Sequence, residues 1–455
     1  MIFWLYLIFI VLTLFFYFIR RNYKSSKELD FIPTVSFFKY ISILLSNGGQ
    51  NEIQKLIHES DPNKIGLVKV SSVVHTIPKY ELLPKTPASI FFGKGMIVSN
   101  GDYWRRQRNI ASTAFNRALR PDMVAECTNE FIMLLNKWTD IPIDVLSLTK
   151  RLTIQILGKL AFSYDMKALD SLEEQPYFLE IYNKILQHIF NRPLLSMAFP
   201  FLNSLPLKRN IEFSSLIKEF DNFIYKMIEQ RRLEMSKAKN ENENTDLLAG
   251  ILDSANYEKI ITQIRSLEII YIILYYLAKY PDVQKKAREE VINVLGSASN
   301  LPTSENLKNL KYLTAIIMES LRLYPPASVL VNRKPTKPLN LSSNITIPKG
   351  AKISVNFWQI HRNPDIWNDA NKFIPERFIN PTKETKTSWI PFSIGPRNCI
   401  GQNFSMMGQK VVIALTLLNF EILLPPNAQH LDEIPLTKSL LLHPKKIDLI
   451  FSKLK

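Results

Sequence analysis

The sequence predicts a mainly α-helical protein with a minor β region, in a single large domain that follows one N-terminal transmembrane helix. Three observations support this fold class. An uncharged apolar run extends from Ile2 to Ile19, helical spacing of apolar residues dominates the centre of the chain, and β-branched runs between Pro and Gly turns follow Pro325. With 455 residues, of which 46% are hydrophobic, the chain can bury a large core.

The first apolar segment is long enough to cross a membrane. As a helix, its 18 residues would span about 27 Å, close to the thickness of a bilayer core. A cleaved signal peptide would need a basic start and a small-residue cleavage site, whereas Arg20 and Arg21 follow the segment directly. We therefore predict an uncleaved anchor over residues 1–21. The positive-inside bias places the rest of the chain in the cytosol, which agrees with its two cysteines.

Charge and cysteine content narrow the classes of partner. A net charge of +16 suits an acidic protein or an anionic membrane surface. Because Lys and Arg are scattered and no zinc-finger or RNA-binding signature is present, nucleic acid is not an expected partner. Cys127 and Cys399 do not make a disulfide framework. A ligand or nucleophile role for Cys399 therefore has to be weighed against a small buried thiol.

The remaining elements of domain 22–455 follow in order. Short strands are expected in "DPNKIGLVKV" and "SSVVHTIPKYELL", and a polar loop in "SKAKNENENTD". A helix-rich centre is expected over about 100–324, with breaks at Pro193, Pro200 and Pro206. A small β region is expected over about 325–360. A turn-rich loop at 391–404 and a helical pattern through "GQNFSMMGQKVVIALTLLNFEILL" follow.

The loop "PFSIGPRNCIGQNF", residues 391–404, places Cys399 just before or at a helix N-terminus. Unpaired N–H groups and the positive dipole end favour a thiolate there. Gly395 and Gly401 allow turn geometries closed to other residues and a close approach to a flat ligand. Arg397 can pair with a carboxylate. Together these features suit haem, a planar group that bears carboxylates.

The spacing Phe392-x-x-Gly395-x-Arg397-x-Cys399-x-Gly401 resembles the haem-binding loop of the cytochrome P-450 family, the haem-thiolate monooxygenases. The resemblance implies a cytochrome P-450-like fold, haem b as cofactor, and Cys399 as the catalytic axial thiolate ligand of the iron. It also implies cofactor binding by Phe392, Arg397 and Gly401. In this family the thiolate donates electron density to the iron and favours O–O cleavage.

Two further motifs resemble a structural network of the family. In "ESLRLYPP", Glu319 and Arg322 are three residues apart and share a helix face. Taken alone, such a pair is a common solvated one, worth less than about 1 kcal/mol. In the family, this Glu and Arg join the Arg of a second motif, here Arg377 in "FIPERF", in a buried network that supports the haem loop. The three residues are therefore expected to be structural.

Other residues resemble contacts to the haem carboxylates. In "WRRQR", Trp104 and Arg108 are four residues apart on a predicted helix and share a face. The alternative is an exposed basic helix. In the family, this Trp-x-x-x-Arg pattern binds haem propionates, and Arg333 in "VLVNRKP" resembles a further contact from the sheet. His361, in "HRNPDIW", is expected to be a turn residue and not a metal ligand.

One family motif is absent. Members usually carry Ala/Gly-Gly-x-Asp/Glu-Thr-Thr in a long central helix, where the acid and threonine help to deliver protons to the reacting oxygen. Here its place is taken by "ITQIRS", residues 261–266, which has no glycine and no threonine pair. At the two threonine positions of the motif, only Ser266 offers a hydroxyl. The upstream "AGILDS", which begins at Ala249, lies twelve residues too early to substitute, when the motif's place is read back from "YYLAKYPDVQKKAREE". About a dozen residues of that helix are therefore expected to be missing, and oxygen activation is in doubt.

The resemblance is to the eukaryotic membrane-anchored type, which implies a single-pass protein of the endoplasmic reticulum membrane. It also implies electrons from NADPH through a flavoprotein reductase, and insertion of one atom of O₂ into a small apolar substrate. A net positive charge suits docking to an acidic reductase. Two alternatives remain open. The chain is a haem-binding member with impaired turnover, including the product of an incomplete gene model, or it rearranges peroxides without a reductase.

Overall fold

A computed structural model describes residues 79, 85–93, 95–117, 119–170, 176–190, 196, 200–237, 269–297, 299–329, 333–342, 345–351, 353–426, 428, 434 and 446–454. The predicted anchor, the polar loop and the segment "ITQIRS" lie outside the described residues. Of the two predicted N-terminal strands, only Lys79 is described, and it forms an isolated β-bridge with Arg333.

Helices make up most of the described chain. In chain order they are α1 Pro87–Phe92, α2 Gly101–Arg117, α3 Pro121–Leu135, α4 Val145–Phe162, α5 Tyr177–Phe190, α6 Lys208–Lys237, α7 Ile270–Lys279, α8 Pro281–Leu295, α9 Ser304–Asn309, α10 Lys311–Leu323, α11 Phe357–Ile360, α12 Lys383–Ser388 and α13 Gln402–Asn419. Short 3-10 turns lie at Asn136–Trp138, Pro200–Ser204, Pro375–Phe378 and Gly395–Arg397.

The strands form two small antiparallel sheets. They are β1 Ile143–Asp144, β2 Leu339–Ser342, β3 Ile345–Ile347, β4 Phe420–Leu423 and β5 Asp448–Lys453. One sheet has the order β1-β5-β4, and the other pairs β2 with β3 across a register shift at Asn340 and Ser342. The mainly α-helical fold with a minor β region is thereby confirmed.

Helix α13 lies at the centre of the main core. Five consecutive residues, Val411 to Leu415, are at most 1% exposed, so this helix is enclosed on every side. It packs against α3, α7, α8 and α10. Because α13 begins at Gln402, within the last residues of the loop 391–404, the best-buried helix of the core fixes one end of that loop.

The C-terminal end of α13 is tied to β4 by α8. The Gln284 side-chain amide donates to the Ile422 carbonyl at 2.8 Å and accepts from the Ile422 N–H at 2.9 Å. The Arg288 Nε donates to the Leu417 carbonyl at 2.9 Å. The first two contacts satisfy backbone groups of β4, which lies at the edge of its sheet. The third satisfies a carbonyl that the end of α13 leaves without a helical partner.

Helix α10 begins against a carboxylate from α8. Glu290 accepts from the Tyr312 N–H at 2.7 Å and from the Leu313 N–H at 2.9 Å. An anion at this position satisfies two N–H groups of the first turn and interacts favourably with the helix dipole. It orients the helix that carries Glu319 and Arg322.

A second hydrophobic cluster joins α1, α5 and α6. Its aromatic centre contains Phe178 and Phe220, whose rings stack at 5.5 Å, and Phe91, which lies 5.6 Å from Phe220. Helix α4 is close-packed nearby: a Cβ on Gly158 would lie 2.7 Å from the Tyr164 carbonyl oxygen, so this position needs glycine.

The helical pattern predicted through residues 401–424 is wrong at its end. Helix α13 ends at Asn419, and Phe420–Leu423 is instead strand β4, paired with β5. Periodicity alone does not separate a short buried strand from the end of a helix. The sheet of β1, β5 and β4 also lies outside the β region predicted at 325–360, which contains β2 and β3. Within the described parts of the chain, no helix is both long and apolar enough to span a bilayer.

Candidate functional site

The loop that carries Cys399 is closed by its own backbone. The Cys399 N–H donates to the Phe392 carbonyl at 2.7 Å. A 3-10 turn at Gly395–Arg397 precedes the cysteine, and α13 begins three residues after it. The buried ring of Phe392 packs edge-on against Trp389 with centroids 6.0 Å apart. The cysteine therefore lies in a fixed turn at the entrance to the central helix.

Two positions in this loop have left-handed backbone conformations. Gly395 has φ of 73°, as expected from its sequence position, and Ser393 has φ of 62°. A non-glycine residue in this region is uncommon, so Ser393 marks a turn that the surrounding packing imposes. Gly401 has φ of −84°, which any residue adopts. The prediction that Gly401 provides a turn geometry closed to other residues is therefore wrong.

The Cys399 sulfur is surrounded by opposing influences. Burial raises the pKa of the thiol above its usual value, whereas a hydrogen bond from the Gly401 N–H and the charge of Arg108 act in the opposite direction. The sequence predicted groups that favour a thiolate, and the structure contains them, but burial outweighs them in the protein alone. Metal coordination would reverse this balance, since a coordinating thiol is deprotonated.

Helix α2 contacts the loop through Arg108 and Trp104. Arg108 donates to the Asn398 carbonyl and to Asn398 Oδ1, both at 2.6 Å. One turn earlier in α2, the Trp104 ring stacks on the guanidinium of Arg397, whose Cζ lies 3.8 Å from the ring centroid. Both predicted residues of this helix therefore face the cysteine loop. The alternative prediction of an exposed basic helix holds only for Arg105 and Arg106, whose side chains are exposed.

Arg397 turns toward the segment that precedes α2. Its Nη1 donates to the Ser99 carbonyl at 2.8 Å, and its Nη2 donates to Asn100 Oδ1 at 3.3 Å. The sequence suggested a carboxylate partner for this arginine. In the described chain, its partners are neutral oxygens, so its positive charge is not compensated by them.

Arg333 enters the site from the sheet region. Its N–H and carbonyl exchange hydrogen bonds with Ile353, each 2.8 Å long, and it is bridged to Lys79 on its other side. Its side chain is 1% exposed. The Lys79 Nζ donates to the Met96 carbonyl at 3.3 Å and also to the Ile97 carbonyl. Lys79 and Arg333 thus lie side by side on neighbouring extended segments.

Four cations converge near the cysteine loop: Lys79, Arg108, Arg333 and Arg397. Burial and then the charges of the three arginines lower the pKa of Lys79 to about 7. Burial, Arg333 and Arg108 lower the pKa of Arg397 to about 10. Such mutual repulsion shows that positive charge has accumulated in a partly desolvated place. This arrangement, called the cation cluster below, can hold an anion.

Glu319 and Arg322 form a fully buried pair on α10. Arg322 donates to both carboxylate oxygens at 2.7 and 2.8 Å, and neither side chain is exposed. Arg322 also donates to three carbonyls, those of His361, Ala370 and Lys372. The pair therefore ties α10 to the two segments that lead toward the cysteine loop.

The third member of the predicted network is placed differently. Arg377 lies in the 3-10 turn Pro375–Phe378, and its Nε donates to Glu319 Oε1 at 3.2 Å. Its side chain is 12% exposed. The Ile374 N–H donates to the same oxygen at 2.9 Å. Glu319 is thus the acceptor shared by both arginines and the backbone, while Arg377 is the outermost partner.

His361 lies in the turn after α11, but it is fully buried. Its Nε2 accepts from the Ile390 N–H at 3.0 Å, so it connects this turn to the start of the cysteine loop. Burial and the charges of Arg322 and Arg362 lower its pKa to about 3, which keeps the imidazole neutral. The turn position was predicted from the sequence, whereas the burial was not.

The model of the cytochrome P450 family matches residues 78–451 of this chain. The chain belongs to the cytochrome P450 family. Its relatives include a cytokinin hydroxylase of Arabidopsis thaliana, 30% identical over 368 residues that cover 76% of this chain and 70% of the relative. Cytochrome P450 4Z1 of Homo sapiens is 31% identical over 399 residues, which cover 80% of this chain and 76% of the relative.

The name of a third relative gives a different substrate from that of the cytokinin hydroxylase. The 11-oxo-beta-amyrin 30-oxidase of Medicago truncatula is 29% identical over 417 residues, covering 83% of this chain and 75% of the relative. The suspected family is thus confirmed. By class the protein is a haem monooxygenase, an oxidoreductase whose family binds haem iron.

The residues at this site fit haem. A thiol beside a cation cluster provides a soft metal ligand together with partners for carboxylates. Within the described part of the chain, the side chains of Lys79, Arg108 and Arg397 donate only to carbonyl and amide oxygens. The hydroxyls of Ser99 and Ser393 are buried there without a hydrogen-bond partner among the described groups. An anionic, flat cofactor would supply charged partners for these cations.

Several of these groups escaped the sequence analysis. Lys79, Asn100 and Asn398 occupy no fixed position of the family motifs found in the sequence. Their roles follow only from contacts made in the folded chain. Lys79 lies 25 positions before Trp104 in the sequence. The sequence marks Lys79 only as a basic residue in a segment rich in β-branched residues, and many surface strands share this pattern.

Proposed function

We propose that this chain uses Cys399 as the axial sulfur ligand of haem b and inserts one atom of O₂ into a small apolar organic substrate. The observation that carries this proposal is the partly buried thiol of Cys399 beside the cation cluster. When bound, haem supplies the iron centre at which oxygen is activated. The protein residues bind and orient it.

Each site residue has a role in this proposal. Arg108, Arg333 and Arg397 hold the carboxylates of the cofactor, with Trp104 supporting the Arg397 guanidinium. Phe392 fixes the Cys399 backbone through its carbonyl, and the Gly401 N–H donates to the sulfur. A hydrogen bond to a ligating sulfur stabilises its negative charge and tunes its basicity.

The buried pair of Glu319 and Arg322 acts at a distance from the chemistry. Arg322 holds the carbonyls of His361, Ala370 and Lys372, and the His361 ring then accepts from Ile390, one residue before the cysteine loop begins. Together with Arg377, this network is proposed to support the loop and not to take part in the reaction.

The electrons are proposed to come from NADPH through a flavoprotein reductase. A net charge of +16 supports docking to an acidic partner. The names of two relatives, a cytokinin hydroxylase and an 11-oxo-beta-amyrin 30-oxidase, describe oxygenation of different organic molecules. Relatives with similar sequence identity to this chain thus act on different substrates. The substrate class proposed here is an apolar organic molecule.

The coupling of electron use to product formation tests this function. Residues 261–266 lack the acid and threonine pair, and loss of a positioned general acid typically costs about 10²–10⁴-fold in rate. We therefore expect the haem-loaded chain, given reductase and NADPH, to form mainly hydrogen peroxide. Inserting a helical segment with the pattern Gly-x-Glu-Thr-Thr before Leu267 should raise the ratio of product to NADPH consumed.

The matched control is an insert of equal length in which Ala replaces the acid and both threonines. If this control raises coupling equally, or if the unaltered chain already gives tightly coupled hydroxylation, the missing motif is not the cause. Two alternatives have their own outcomes. Peroxide turnover without NADPH use indicates a peroxide isomerase, and neither reaction indicates a haem-binding protein without turnover.

A single-pass position in the endoplasmic reticulum membrane, with the catalytic domain in the cytosol, is also proposed. It rests on the apolar run from Ile2 to Ile19, followed by Arg20 and Arg21. Deletion of residues 2–19 should release most of the protein from membranes, although the basic domain will adhere weakly to anionic lipid. Membrane association of the deleted form that resists carbonate washing would contradict this assignment.

A further inference from the structure

Asn100 lies where helix α2, the extended segment at Lys79 and the cysteine loop meet. Its Oδ1 accepts from the Lys79 N–H at 2.9 Å, and its Nδ2 donates to the Lys79 carbonyl at 3.0 Å. The same Oδ1 accepts from Arg397 Nη2 at 3.3 Å. Because the two ends of the amide meet a donor and an acceptor of one backbone residue, only one orientation satisfies both.

The backbone of Asn100 completes this junction. The residue directly precedes α2, and its carbonyl accepts from the Trp104 N–H at 3.4 Å. Lys79, held by the Asn100 side chain, is in turn bridged to Arg333. One side chain therefore connects the three parts of the chain that bring the cation cluster together: the bridged segments of Lys79 and Arg333, helix α2 and the cysteine loop.

The chemistry of this side chain matters because its neighbours repel one another. Burial and then Arg397, Arg333 and Arg108 lower the pKa of Lys79, so positive charges lie close together here. A carboxylate at position 100 would accept the same two hydrogen bonds and also cancel positive charge. A neutral amide holds Arg397 and Lys79 in place without adding a negative charge beside them.

We propose that Asn100 is a positioning residue that holds Lys79 and Arg397 in place for the carboxylates of the cofactor and adds no negative charge of its own beside them. This inference rests on the proposed function, since it takes haem as the anion. Asn100 touches the residues that hold the cofactor and acts through them. Its effect is thus on retention of the cofactor and not on the thiolate ligand.

The test compares Asn100→Asp with Asn100→Ala in the full-length, haem-loaded protein. Asp keeps the two acceptor contacts and adds a charge, whereas Ala removes all three hydrogen bonds. The control Asn109→Asp makes the same charge change at an exposed position of α2. The readouts are the rate of haem transfer to an excess of apoglobin and the unfolding temperature of each haem-free form.

We expect Asn100→Asp to release haem about tenfold faster than the wild type, the size of effect usual for groups that orient a cofactor's ligands. It should also release haem faster than Asn100→Ala, although its haem-free form unfolds at a higher temperature than that of Asn100→Ala. Asn109→Asp should release haem at the wild-type rate. A purely structural role would give the reverse order, with Ala fastest and Asp between Ala and the wild type.

That reverse order, or wild-type release from both Asn100 variants, would overturn the inference. The wild-type spectrum separates this failure from failure of the proposed function. If the wild type lacks the thiolate signature in its reduced carbon-monoxide spectrum, the proposed function itself fails. If the signature is present in the wild type and both variants release haem like it, only the role of Asn100 is wrong.

Discussion

Arg322→Ala should lower the free energy of unfolding by about 3–5 kcal/mol, the cost of breaking a buried ion pair by removing one partner. The change leaves the Glu319 carboxylate, which is fully buried, without its bidentate partner. It also removes the donor from the carbonyls of His361, Ala370 and Lys372. Denaturant unfolding of the haem-loaded protein measures this loss, and the haem-loaded yield should fall with it.

Two matched arginines give this prediction its controls. Arg377 meets Glu319 through a single 3.2 Å contact and is partly exposed, so Arg377→Ala should cost less, about 1–3 kcal/mol. Arg105 forms an i,i+3 pair with Asp102 at the surface, with side chains 70% and 93% exposed, and Arg105→Ala should cost less than about 1 kcal/mol. Equal losses for Arg322 and Arg105 would contradict the account of the buried pair.

The sequence predicts one structural network of Glu319, Arg322 and Arg377, and the structure gives its members different surroundings. Spacing along one helix was enough to predict that Glu319 and Arg322 share a face, because that relation is local. The exposure of Arg377 depends on how the Pro375–Phe378 turn meets α10, and the three carbonyl partners of Arg322 come from 39 to 50 positions away. Neither is encoded in local spacing.

In the cation cluster, too, local spacing was predictable from the sequence, whereas contacts between distant positions were not. The Phe392 to Gly401 spacing was sufficient to predict the family, which the family model confirmed. The contact between Arg108 and Asn398 joins residues 290 positions apart, and that between Arg397 and Asn100 joins residues 297 apart. Helical and strand periods carry no information on such pairs. The contribution of Asn100 therefore became visible only in three dimensions.

Burial also altered one chemical expectation. The start of a helix near Cys399 predicted a stabilised thiolate, and the Gly401 N–H does act in that direction. Sequence patterns do not report how far a sulfur is removed from water, and here its desolvation is the larger effect. The strand at Phe420–Leu423 is a parallel case, since pairing with Asp448–Lys453 decides its conformation.

The second large effect is expected from Cys399→His. The change replaces the proposed sulfur ligand with an imidazole, and the Arg108, Arg333 and Arg397 contacts to the cofactor carboxylates are left in place. Haem binding should therefore be retained at least in part, while the spectrum typical of thiolate ligation is lost completely. Cys127→Ser is the matched control, because Cys127 is the only other cysteine of the sequence and is buried within α3.

The reduced carbon-monoxide difference spectrum tests the central claim most directly. The wild type and Cys127→Ser should both show the red-shifted Soret band characteristic of the family, and Cys399→His should show none at any haem loading. Retention of that band in Cys399→His, or its absence from a haem-loaded wild type, would contradict Cys399 as the ligand.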